Sequence, residues 1–145
     1  MTATLIVGLD GTGSGERAVT YAKKLAKLIG DCELLMVYVI EWSPYTFQTA
    51  EENSERHKRR EEEIIMASER VVNPAVSSVQ ADGITARGIV RHGDVADLLD
   101  AVAVEEKAEQ IIVARSSEGG FVKRVFGTST ANLVMHASVP VTVVG

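Results

Sequence analysis

Residues able to do chemistry gather in two stretches. One is Asp10-Gly11-Thr12-Gly13-Ser14-Gly15, directly after an apolar run. The other runs from Ile111 to Thr130, through Arg115-Ser116-Ser117-Glu118-Gly119-Gly120 to Gly127-Thr128-Ser129-Thr130. The closing hydroxyls suit a helix start, where unpaired N–H groups and the positive end of the dipole attract anions such as phosphate. The plainer reading of that stretch is an ordinary loop followed by a hydroxyl-capped helix. Asp10 is a strong acceptor for ribose hydroxyls, and equally for the N–H groups of its own turn.

Other chemistries are poorly supplied. The Asp10–Gly15 loop lacks the final glycine of a dinucleotide fingerprint, and no Walker-type phosphate loop occurs. A phosphate-accepting receiver domain needs an aspartate closing the third strand, where Val90-Arg91-His92 stands instead. His57, His92 and His136 have no ligand spacing with Cys32 or the carboxylates, so no metal is expected. Ser116, Ser117 and Ser129 have no base near them in sequence, and no catalytic residue is assigned. Cys32 is the single cysteine, which excludes an intramolecular disulfide and reads as core filler. A net charge of -5 argues against a nucleic-acid partner. No stretch is apolar enough to span a bilayer and no signal-peptide profile opens the chain, so a cytoplasmic protein without a membrane partner is expected.

An alternation of strands and helices positions the two stretches. Thr4–Leu9 reads as a buried strand, and Gly15–Ile29 as a helix capped by Ser14 and Gly30. Glu33–Ile40 is a second strand. A charged helix follows from about Gln48, continuing as an apolar stripe to Val79 with a kink or restart near Asn73, before Pro74. Ile84–Val90 alternates, as a strand near an edge does. Gly93-Asp94 opens a helix with Val95, Leu98, Leu99 and Val102 on its core face. Ile111–Ala114 is a strand, Thr128–His136 a helix and Val139–Val144 a fifth strand. Over residues 1–145 this gives one domain, an α/β three-layer sandwich on a five-stranded parallel sheet. In the order 3-2-1-4-5 the first and fourth strands flank the switch point, where open sheets bind ligands. Asp10 and the loop after Ala114 then meet in one crevice. Val139–Val144 becomes an exposed edge, which predicts a homodimer through that strand.

With these features assembled, the chain resembles a universal stress protein along nearly its whole length. The resemblance rests on Val7-Gly8-Leu9-Asp10-Gly11-Thr12, the five-strand pattern, Gly119-Gly120-Phe121 through Gly127-Thr128, and His136-Ala137-Ser138-Val139-Pro140-Val141-Thr142-Val143-Val144. It implies an adenine nucleotide alpha hydrolase-like fold and a homodimer through the last strand. ATP-binding members carry G-x2-G-x9-G-S/T after the fourth strand. Gly127-Thr128 match its end, while Ala114 and Ser117 stand where its first two glycines fall. The resemblance implies a nucleotide site at Gly8, Leu9, Asp10, Val39, Ala114, Arg115, Ser117, Gly127, Thr128 and Ser129. Asp10 would take the ribose, Val39 the adenine, and Gly127, Thr128 and Ser129 the phosphates of ATP or another adenine nucleotide, with Mg²⁺ as the common companion of a triphosphate. Lys123 and Arg124 are further cations near those phosphates, or solvated surface. Two readings stay open: a nucleotide-responsive module, or a nucleotide-independent interaction protein of the same fold. A third, slow ATP hydrolysis, needs a general base that these motifs do not supply.

Overall fold

The computed structural model describes residues 2–11, 13–41, 50–115 and 128–145. Strands β1 (Ala3–Leu9), β2 (Cys32–Glu41), β3 (Thr85–Gly93), β4 (Gln110–Ala114) and β5 (Val141–Val144) form one sheet. Helices α1 (Gly13–Ile29), α2 (Ala50–Ala67), α3 (Asn73–Ala81), α4 (Val95–Glu105) and α5 (Thr128–His136) connect them. The order is β3-β2-β1-β4-β5 and every pairing is parallel. The expected sandwich, strand order and switch point are therefore present.

Alternation along the central strands builds two cores. Leu5, Val7, Leu34, Met36 and Ile112 face α1 and α3 on one side of the sheet. Ile6, Leu35, Val37, Ile111 and Val113 face α4 and α5 on the other. A parallel sheet covered on both faces needs continuous apolar runs, which is what these strands carry. Cys32 is buried in the first core, and burial, with Asp31 and Glu33 beside it, pushes its thiol up from the ordinary value. The reading of Cys32 as filler is consistent with that environment.

Several boundaries differ from expectation. The first helix begins at Gly13, so Ser14 lies inside its first turn rather than capping it. The Asp10 carboxylate instead accepts the Gly15 N–H at 3.2 Å, satisfying one of the orphan donors of the helix start. The expected kink is a π-turn, Ser68–Val72, joining α2 directly to α3. Pro74 is the second residue of α3, directly after the Asn73 N–H that closes the π-turn on the Ser68 carbonyl. Gly88 on β3 explains the placement: a Cβ there would lie 2.1 Å from Val72 Cγ1 and 3.1 Å from Val76 Cγ2. The π-turn presses Val72 onto bare strand backbone. The fifth strand spans four residues only; Val139 packs against the second core, and the Pro140 carbonyl accepts from Ile111 N at 2.9 Å. Proline has no ladder donor, so pairing proper starts at Val141.

At the amino ends of β2 and β3, Arg87 bridges Glu33 (2.9 Å) and Glu106 (2.6 Å). Hydrogen bonding to Arg87 holds the Glu106 carboxyl below its usual range. Its folded-state value is depressed, so its contribution is present above the unfolded-state value and fades as pH falls through the folded one. Glu106→Gln should flatten the acid side of a melting-temperature profile, below about pH 5, relative to the parent. An identical slope in both proteins would refute that contribution. Exposure of the pair keeps the effect small.

Candidate nucleotide site at the switch point

The β1–β4 register, Leu5 with Gln110 through Val7 with Ile112, carries Leu9 and Ala114 to the same carboxyl end. The predicted residues on these two strands therefore meet, but they do not all face one way. Gly8 turns toward α4: a Cβ there would lie 2.9 Å from Val113 Cγ1 and 3.2 Å from Leu99 Cδ1. The glycine is accordingly required for packing, independent of any ligand. Val39 is buried on that same side, in the core of α4 and α5. Leu9 and Ala114 turn the other way, into the core under α1.

The direction of Ala114 bears on the motif. Its methyl packs toward α1, away from the face that holds Gly8 and Val39. The added Cβ is taken up by the core under α1. Asp10, exposed at the tip of β1, accepts the Gly15 N–H with Oδ1, the turn role foreseen for it. Arg115 is held by its backbone: its N–H donates to Val144 O at 2.7 Å, and its guanidinium lies beside Gly145 at the end of β5. Ser117, Gly127, Lys123 and Arg124 lie outside the described residues. The backbone of Thr128 and Ser129 opens α5, which places a helix N-terminus after β4 as expected.

One residue at this end was not foreseen. Arg17, partly buried on α1, donates from Nη2 to the backbone oxygen of Arg115. Its sequence signal is faint, because an arginine beside Ala18 and Val19 looks like the solvent margin of an amphipathic helix. Only the packing of α1 across β1 and β4 brings it to the β4 exit.

Two concavities lie nearby. A groove of about 560 Å³ between α1 and α3 is lined by Leu9, Gly11, Lys23, Arg70, Pro74 and Ser78, among others. It opens on the α1 side of the sheet, opposite Gly8 and Val39, and Lys23 is already engaged by Ser78 (2.7 Å) and Asp82 (3.2 Å). A cleft of about 310 Å³ between α4 and α5 is lined by Asp94, Asp97, Asp100 and His136. Asp94 caps α4 through Asp97 N, and Asp100 accepts from the N–H and hydroxyl of Ser138. Among the described residues no group of three His, Cys, Asp or Glu side chains could hold a metal ion. No helix of the described chain is long and apolar enough to cross a membrane.

Comparison with known proteins follows this geometry. No curated protein matches the chain. The structure is similar to that of universal stress protein UspA from Lactobacillus plantarum, with a TM-score of 0.83 at 17% identity, covering 99% of this chain and 97% of that one. It is similar to a universal stress protein in complex with cAMP, with a TM-score of 0.68 at 23% identity, covering 99% and 96%. A third similar structure is the universal stress protein from Archaeoglobus fulgidus in complex with dAMP, with a TM-score of 0.65 at 18% identity, covering 100% and 98%. These likenesses establish a shared fold, the adenine nucleotide alpha hydrolase-like arrangement. The model of the universal stress protein family matches residues 1–145, and the chain belongs to that family.

Proposed function

We propose that this protein is a nucleotide-responsive binding module that takes ATP or another adenine nucleotide at the carboxyl ends of β1 and β4. The observation that carries the reading is the register that brings the carboxyl ends of β1 and β4 together, with Asp10 exposed beyond β1 and the start of α5 after β4. Asp10 would accept from the ribose hydroxyls, Val39 would flank the base, and the start of α5, with Gly127, Thr128 and Ser129, would face the phosphates. Mg²⁺ would neutralise part of the triphosphate charge. Similar structures hold cAMP and dAMP, which supports an adenine nucleotide as the ligand class.

The working form is a cytoplasmic homodimer through Val139–Val144. In support, β5 is a sheet edge with half-buried side chains, and Val134 and Met135 stand exposed on the helix before it. Light scattering on the purified chain should give twice the monomer mass; a monomer mass would end the dimer reading.

A second reading, an interaction protein without a ligand, is favoured by the Asp10–Gly15 bond, which gives Asp10 a structural task. Asp10→Ala separates the two. Without a carboxylate to receive the ribose hydroxyls, calorimetric affinity for ATP should drop about tenfold, as removal of a hydrogen bond to a charged group does. A lower melting temperature with unchanged affinity, or no binding by the parent, would favour the second reading. Gly127→Val, which puts bulk at the phosphate end, should abolish binding if the first reading is right.

A further inference from the structure

We propose that the groove between α1 and α3 binds a small amphipathic monocarboxylate, its aliphatic chain lying between the two helices and its carboxylate at Arg70. The inference is independent of the adenine-nucleotide reading above.

The groove follows from where the two helices are seated. α1 packs over β1 and β4. Val72 of the π-turn and Val76 of α3 sit on the bare backbone of Gly88, which holds α3 over the edge strand β3. The residues facing the gap are short: Gly15 and Thr20 on α1, Ala75 and Ser78 on α3. A space of about 560 Å³ is left, within the size range of small-molecule pockets. At the C-terminal end of α3 the gap is bridged by Lys23, which donates to Ser78 Oγ at 2.7 Å and pairs with Asp82 at 3.2 Å.

The walls and the charges suit one class of ligand. Leu9 and Val19 on one side, and Val71, Pro74 and Ala75 on the other, are all aliphatic. Among the described lining residues there is no aromatic ring, so nothing there selects a flat molecule by stacking. An alkyl chain gains against such walls in proportion to the area it removes from water. Three charged side chains line the groove: Glu16, Lys23 and Arg70. The Lys23 ammonium is committed to Ser78 and Asp82. Arg70 is exposed on the π-turn and makes no hydrogen bond or ion pair with another described residue. Its planar fork matches a carboxylate, and Val71 beside it leads the chain directly onto the aliphatic wall. Glu16, exposed in the first turn of α1, opposes any second negative charge. The groove therefore favours a monoanion over a polyanion such as a nucleoside triphosphate.

The test is titration of the ¹⁵N-labelled protein with octanoate, and with octan-1-ol, which carries the same chain without the charge. Octanoate should shift the amides of Val19 to Lys23 and of Val71 to Ser78, saturating in the millimolar range. Octan-1-ol should shift the same amides with weaker affinity. Arg70→Gln should weaken octanoate about fivefold, the worth of an exposed ion pair, and leave octan-1-ol within about twofold. Added salt should weaken octanoate alone. Ala75→Leu, which puts bulk into the groove, should remove the binding of both. Equal affinity of the parent for the two ligands, or an equal loss of both in Arg70→Gln, would show that charge plays no part and would overturn the proposal. Shifts scattered over Leu28, Ile65 and Met135 would mean that octanoate only coats exposed apolar side chains, which overturns it too. An unchanged spectrum, or undiminished binding by folded Ala75→Leu, would do the same. Arg70 lies on the surface, so Arg70→Gln keeps the test decisive if Ala75→Leu does not fold.

Discussion

Leu99→Ala should lower stability by about 2–5 kcal/mol, the usual range for emptying a well-packed leucine site. For a chain of this length that is a fall in melting temperature on the order of 10 °C. Leu99 is only 2% exposed and lies in the core shared by α4, α5 and the sheet. Its δ-carbons also sit directly over Gly8, the backbone that leads into Asp10. The same variant should therefore loosen the tip of β1, read as faster amide exchange at Leu9 and Asp10 than at Leu5. A cost below about 1 kcal/mol would mean that α4 collapses into the space and that Leu99 does not brace the strand.

The second large effect is expected at Gly88. Gly88→Val asks a side chain to occupy the place of Val72, and neither the strand nor the π-turn can retreat without breaking its own pairing. Overpacking of this kind costs about 1–3 kcal/mol, more where backbone must move. Chemical denaturation of Gly88→Val, Val72→Ala and the double variant provides the cycle. The double variant should be more stable than the sum of the two single effects implies, because the smaller residue vacates the space that the larger one needs. Strict additivity would show that the two positions do not touch one another.

The fold was legible because its signals are local. Apolar runs such as Leu5–Leu9 and Leu34–Val39 mark strands covered on both faces, and Gly30 ends α1 at a φ of +92° that suits glycine. Alternation of these elements then leaves few topologies, since crossovers are right-handed. What escaped was non-local. Pro74 announces an irregularity, but its form as a π-turn depends on the bare backbone of Gly88, which belongs to a later strand and meets Val72 only in the folded chain. Pro140 belongs to a β-branched run and still delays β5 to Val141, because its missing donor matters only once β4 lies alongside.

The site divides along the same line. Asp10 is recognisable from its place after an apolar run, and its capping of Gly15 follows from ordinary turn chemistry. Ala114, by contrast, looks in sequence like an obstruction in a glycine motif. Where its methyl goes depends on which face of β4 it occupies, and period-two alternation places it opposite Val113 only once the register is fixed. Arg17 required still more, namely the angle at which α1 crosses β1 and β4.

The most direct test of the central claim is to add ATP and Mg²⁺ to the ¹⁵N-labelled protein and map which amides shift. Binding at the switch point predicts the largest changes at Gly8 to Gly11 and at Val113 to Arg115, with smaller ones at the start of α5. Shifts confined to Lys23, Arg70 and Ser78 would move the ligand to the groove between α1 and α3 and contradict the account. An unchanged spectrum at millimolar ATP would contradict it outright.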